Sequence, residues 1–192
     1  MNWEEYFYEI CEVVSKKSKD TSYKTGCVIA GKNHETLSTG FNGFPIGVED
    51  NIIKVSERYE RPEKYLWTEH GERNAIYFAA RNGIALEGSW IYVKGHPCAE
   101  CTRAIIQSGI KKIVVQAEGA YDLSTKGQSD RQKKWTEEFR VSDLMIKESG
   151  IELEMYGTIK VKCKCKPHDK IYYGCQCGAE IVDYTFKGAR RP

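Results

Sequence analysis

His70-Gly71-Glu72 is followed, with Cys98 28 residues beyond His70, by Pro97-Cys98-Ala99-Glu100-Cys101. One imidazole and two thiolates are ligand types that zinc prefers, and three protein ligands leave its fourth position open, as in a catalytic rather than a closed structural site. Glu72 stands two residues after His70, where a carboxylate can reach that open position. It can take a proton from a water molecule and hand protons on to a ring nitrogen and a departing amine, the two transfers that hydrolytic loss of an amino group requires. A lone Cys-x-x-Cys would equally suit a redox pair or half of a structural zinc site. His70 and Glu72, in that order ahead of it, favour the catalytic reading.

These residues need elements that bring them together. Cys98 and Cys101 open a predicted helix over about 99–107, where exposed backbone N–H groups and the helix dipole favour thiolate over thiol. His70 opens another, over about 70–81, and the predicted strand at 90–94 supplies the return path between the two helix starts. Ahead of them, Trp3, Tyr6, Phe7, Ile10, Val13 and Val14 recur at helical spacing. Gly26 to Ala30 and Thr36 to Thr39 read as a hairpin turning at Gly31 to His34. A long loop is expected from Phe41 to Trp67, with a short helix near Val55 to Glu60. Beyond it come a strand at 112–116, a polar loop over 118–133, a helix near 137–147 and a strand at 151–156. Strands alternating with helices imply crossover units with parallel pairing. Together with the hairpin they predict an α/β, three-layer fold, a five-stranded mixed sheet with helices on both faces.

At 192 residues the chain fits one domain with a small appendage. The composition changes after Gly157 to lysine, cysteine and tyrosine, so the expected division is 1–157 and 158–192. With 41% hydrophobic and 29% charged residues the composition is globular. A formal charge of +2 gives no sign of the broad basic face that grips long duplex nucleic acid, and suits a small anionic ligand. The first residues show no signal-peptide pattern, and no apolar run is long enough to span a bilayer, so a soluble cytoplasmic protein is expected. Six of the eight cysteines fall in two close-spaced groups, which in such a chain favours metal over disulfides.

His-x-Glu with a later Pro-Cys-x-x-Cys is the signature of zinc nucleobase deaminases. From about residue 14 to 156 the chain resembles the cytidine and deoxycytidylate deaminase family, most closely its dCMP deaminase branch. Ser18-Lys19-Asp20, Gly40-Phe41-Asn42-Gly43-Phe44-Pro45, His70 to Ile76 and Pro97 through Lys111 carry the resemblance. It implies hydrolysis of dCMP to dUMP and ammonia, supplying dUMP for thymidylate synthesis, with zinc on His70, Cys98 and Cys101 and Glu72 as acid and base. By the same resemblance Asn42 meets the deoxyribose, Gly43 allows close backbone approach, and Tyr121 packs on the pyrimidine or is a loop tyrosine. Arg81 and Asn82 help to bind dCTP or dTTP effectors, or simply close their helix. A homo-oligomer is also implied. The family's usual His-Ala-Glu is here His-Gly-Glu, and Lys19 replaces a common arginine, putting a point charge where a fork would face phosphate. Lys19, Arg58, Arg61 and Lys64 are the candidates for that phosphate, each with a solvated surface charge as its alternative.

Cys163-Lys164-Cys165 and Cys175-Gln176-Cys177 could clamp a second, structural zinc, with His168 as a substitute ligand, or remain free thiols or disulfides. Cys11 and Cys27 read as small apolar core residues, His34 as a turn residue and His96 as structural. The alternatives to dCMP are dCTP, a modified cytosine nucleotide, free cytidine or a base in nucleic acid. A different class is a non-catalytic nucleic-acid-binding protein on the same scaffold, against which the presence of Glu72 argues.

Overall fold

In the computed structural model the described residues are 1–116, 130–161 and 182–186, with side chains described over 1–116 and 137–157. The first helix, α1 (Trp3–Ser15), starts at a capping box in which the Asn2 side chain accepts from the Glu5 N–H and the Glu5 carboxylate accepts from the Asn2 N–H. It leads to the hairpin β1 (Gly26–Ala30) and β2 (Thr36–Phe41). A single turn, α2 (Lys64–Trp67), precedes α3 (Gly71–Arg81). Then β3 (Trp90–Val93), α4 (Ala99–Gln107) and β4 (Lys112–Gln116) form one crossover unit, and α5 (Asp130–Ser149) leads to β5 (Glu152–Val161) in the next.

The sheet runs β2-β1-β3-β4-β5, with a sixth strand, β6 (Val182–Phe186), paired beyond β5. β3, β4 and β5 are parallel, while β2 and β1, β1 and β3, and β5 and β6 pair antiparallel. The expected five-stranded mixed sheet is present. β5 runs on past residue 157, and Gly157 to Val161 pair with Phe186 to Val182. The last long helix begins at Asp130, within the stretch expected to be loop; its first turn, Asp130 to Lys133, is polar and carries no apolar period to announce it.

Period-two alternation divides the core between the two faces. Cys27, Ile29, Ile91, Val93, Ile113 and Val115 face α3, α4 and α5 through Ala75, Ala79, Ile105 and Ile146. Val28, Ala30, Tyr92 and Val114 face α1 through Phe7, Tyr8 and Cys11. Cys11 and Cys27 are thus core residues, as expected. His34 sits in the hairpin turn with a positive φ of 68° and stacks on Trp3 at 4.3 Å.

Backbone packs directly on backbone where α3 crosses β2. A Cβ added at Gly40 would lie 2.1 Å from the Gly71 carbonyl oxygen and 2.4 Å from the Ala75 nitrogen. Ser38 Oγ donates to the Ala75 carbonyl at 2.7 Å, and Asn74 Nδ2 to the Phe41 carbonyl at 2.8 Å, so α3 has no room to slide. Gly40→Ala should therefore destabilise the fold by about 1–3 kcal/mol in denaturant unfolding and lower any activity that depends on the start of α3.

Candidate active site

His70 and Cys98 occupy the N-cap positions of α3 and α4, each with extended backbone and neither making a side-chain cap hydrogen bond. Such positions ordinarily go to Ser, Thr, Asn or Asp, whose side chains satisfy the exposed N–H groups. Here the side chains turn instead toward each other. Cys98 Sγ lies 3.5 Å and Cys101 Sγ 3.4 Å from His70 Nδ1, and the three ligand atoms fall within 4.8 Å of one another. Cys101, one turn into α4, is completely buried.

The charges within the cluster follow from that proximity. The Cys98 thiol is pulled down to about 3, first by the hydrogen bond from Cys101 and then by His70, against the cost of burial. Cys101 moves the other way, held well above the usual thiol range by the same hydrogen bond and by burial. One proton is thus shared between two sulfurs that together hold a negative charge, and a cation bound there takes the place of that proton. Burial disfavours the charged form of His70, but the hydrogen bond to Cys98 and the nearby Glu72 outweigh it and raise its pKa. Two soft sulfurs and one imidazole within this span fit zinc.

Glu72 lies in the first turn of α3 and lines a cavity of about 750 Å³ together with His70 and Cys98. Burial raises its carboxyl above the ordinary range despite the opposing pull of His70. A carboxyl group poised in this way can both accept and return a proton.

The far wall of the cavity carries polar groups that sequence spacing could not assemble. Asp20, buried, accepts from the Ser22 and Tyr23 N–H groups at 2.8 and 3.1 Å through one oxygen, while its other oxygen meets Lys64 Nζ at 2.6 Å. Burial alone would raise the Asp20 pKa, but Lys64 and the backbone donors prevail and lower it. Asn42 is buried among the same groups. Its Nδ2 donates to the Tyr23 carbonyl at 2.8 Å and to Asp20, and its Oδ1 accepts from the Thr25 N–H at 2.9 Å. The Asp20–Lys64 pair joins residues 44 positions apart. Lys64→Met should cost about 3–5 kcal/mol near neutral pH by leaving Asp20 buried and unpaired. The gap from wild type should narrow as pH falls toward and below about 4, because a lowered carboxylate contributes stability above its unfolded value and loses it as it protonates. Urea melts across that range measure the gap.

Of the expected phosphate cations, Lys64 and Arg61 line the cavity. Lys19 pairs instead with Asp50 at 2.8 Å, outside the lining, and Arg58 lies over the Trp67 ring at 4.2 Å. Arg61 donates to Ser22 Oγ at 3.2 Å and to the Tyr65 hydroxyl at 3.1 Å, and among the described residues no carboxylate pairs with it. Gly43 is not in the lining; it forms a two-residue bridge with Glu69, just ahead of His70. His96 is in the lining, with Nε2 at 2.9 Å from Asp143 Oδ1 and Nδ1 at 3.0 Å from the Pro97 carbonyl. Asn82 closes α3 as its C-cap, Nδ2 donating to the Phe78 carbonyl at 2.7 Å, and Arg81 beside it is exposed. Tyr121, His168 and Cys163, Cys165, Cys175 and Cys177 lie outside the described residues. Among the described residues, no helix is long and apolar enough to cross a membrane.

Residues 1–117 match the cytidine and deoxycytidylate deaminase zinc-binding region. An uncharacterized deaminase of Aliivibrio fischeri is 38% identical over 151 residues, covering 79% of this chain and 91% of that protein. The deoxycytidylate deaminase of Enterobacteria phage T2 is 35% identical over 158 residues, covering 64% of this chain and 82% of the phage protein. The fold is also that of the dCMP deaminase of cyanophage S-TIM5, whose crystal structure in complex with dCMP and dUMP superposes with a TM-score of 0.59 at 24% identity, covering 79% of this chain and 95% of that one.

Proposed function

Since the chain belongs to the cytidine and deoxycytidylate deaminase family, we propose that it hydrolyses dCMP to dUMP and ammonia, supplying dUMP for thymidylate synthesis. The observation that carries this reading is one cavity with His70, Cys98 and Glu72 among its walls, Cys101 buried behind them within the same cluster, and a guanidinium that no described carboxylate neutralises. His70, Cys98 and Cys101 would hold a zinc ion, which when bound supplies the Lewis acidity that makes water nucleophilic near neutral pH.

The rest of the reaction falls to the chain's own groups. As water adds at C4 of the cytosine, Glu72 moves one proton to N3 and a second to the exocyclic nitrogen, and the C4–N bond breaks to release ammonia. Asn42, with both amide hydrogens engaged by Tyr23 and Asp20, keeps an acceptor site on Oδ1 for a sugar hydroxyl. Arg61 replaces Lys19 in this reading as the cation that meets the 5′-phosphate, with Lys64 beside it through Ser22 Oγ. Tyr121 is assigned to the pyrimidine face. Residues 1–157 are then the deaminase domain and 158–192 an appendage joined to it through β5 and β6. A second zinc on the appendage cysteines, dCTP or dTTP effectors near Arg81 and Asn82, and a homo-oligomer belong to the same reading.

Ammonia release from dCMP, dCTP, deoxycytidine and cytidine tests the assignment. Turnover should be fastest with dCMP and should drop sharply for deoxycytidine, which lacks the phosphate. Faster turnover of dCTP, or none with any of the four alongside salt-dependent binding to a polynucleotide, would overturn it.

A further inference from the structure

Arg73 follows Glu72 directly and is only 12% exposed at its side chain. Its Nε donates to the carboxylate of Glu69, and its Nη1 donates to Glu100 Oε2 at 2.6 Å. Both carboxylates stand beside metal-ligating positions. Glu69 is the residue before His70, and its backbone is held on Gly43 by reciprocal hydrogen bonds of 2.9 and 3.1 Å. Glu100 lies between Cys98 and Cys101, in the first turn of α4. A single rigid guanidinium therefore bridges the two chain segments that carry the cluster, and its planar fork fixes both partners in distance and in direction.

We infer that Arg73 is a positioning residue that sets the spacing of His70 from Cys98 and Cys101 and thereby the affinity of the cluster for its metal. The inference rests on the cluster being a zinc site and is independent of which cytosine compound is the substrate. Charge and position make opposite demands here. A cation close to a metal site opposes metal binding, so removing the charge alone would tighten it. Loss of the bridge frees two helix starts to drift apart, which loosens it. Outer groups that orient ligands are typically worth 10- to 100-fold in metal affinity, so position should outweigh a guanidinium already neutralised by two carboxylates.

The double variant Arg73→Met/Glu100→Gln separates the two effects, since the trio of residues 69, 73 and 100 keeps the same net charge of minus one while the bridge is lost. Zinc affinity by chelator competition should fall about 10- to 100-fold. In the cobalt-substituted protein the visible ligand-field bands should shift as the site opens. Arg73→Lys, a point charge that can serve one carboxylate at a time, should restore part of the affinity, and it carries the test alone if the double variant does not fold. Wild-type zinc affinity with an unchanged cobalt spectrum, in the double variant or in Arg73→Lys, overturns the inference. A wild-type protein that takes up no zinc overturns the metal reading itself, and the inference with it.

Discussion

Glu72→Gln should lower turnover by about 10,000-fold, while leaving zinc content and thermal unfolding close to wild type. The substitution keeps the shape of the side chain and removes only its capacity to accept and return a proton. General acid–base catalysis by one group is ordinarily worth about 100- to 10,000-fold. Glu72 is assigned two successive transfers, so its loss belongs at the upper end of that range. No described carboxylate other than Glu72 lies in the first turn of α3, and the position cannot be covered by a neighbour on the same helix. The assay is ammonia release from dCMP, run beside metal analysis of the same sample. A variant with normal zinc and more than about a hundredth of wild-type turnover would mean that another group carries the protons.

Cys101→Ser should cost the protein its metal and, with it, both activity and part of its stability. The thiol is fully buried and sits one turn inside α4, so a hydroxyl there can neither follow the metal outward nor be replaced by solvent. Zinc binding by structural sites is worth about 10–16 kcal/mol, and one ligand's share of about 3–4 kcal/mol corresponds to a loss of affinity of about 100- to 1000-fold. Dialysis of the wild type against a chelator should reproduce that loss of activity reversibly, with zinc restoring it. Cys101→Ser should recover only at much higher zinc. Recovery at the wild-type zinc concentration would remove Cys101 from the ligand set.

Much of this was legible in the amino-acid order because the chemistry is local to helix starts. His70 and Glu72 are two residues apart, Cys98 and Cys101 three, and the continuous apolar runs Ile91, Tyr92, Val93 and Ile113, Val114, Val115 mark strands buried on both faces, though not which residue serves which side. The opposite wall of the cavity had no such signature. Asp20 and Lys64 look like two surface charges until the loop from Phe41 to Trp67 folds back and buries them against each other. The same loop leaves Lys19 beside Asp50, so the cation nearest the family's motif is not the one that lines the cavity. Arg73 was equally silent, since its partners Glu69 and Glu100 acquire meaning only when α3 and α4 converge. Asp130 to Lys133 read as loop because that opening turn of α5 is polar throughout, and β6 is passed over although Val182, Tyr184 and Phe186 alternate with Asp183 and Thr185, because it lies in the lysine- and cysteine-rich stretch read as an appendage.

One contact region reaches beyond chemistry into descent. Glu138, Ser142 and Asp143 of α5 meet, in turn, the Ala99 N–H at 3.3 Å, Thr102 Oγ1 at 2.6 Å and His96 Nε2 at 2.9 Å. All three partners flank the cysteines. A change on either side of this seam leaves a polar group stranded unless its counterpart changes too. The two helices are therefore expected to drift together across generations, and a graft of a foreign α5 should succeed only when the donor brings along its own residues at 96 and 102.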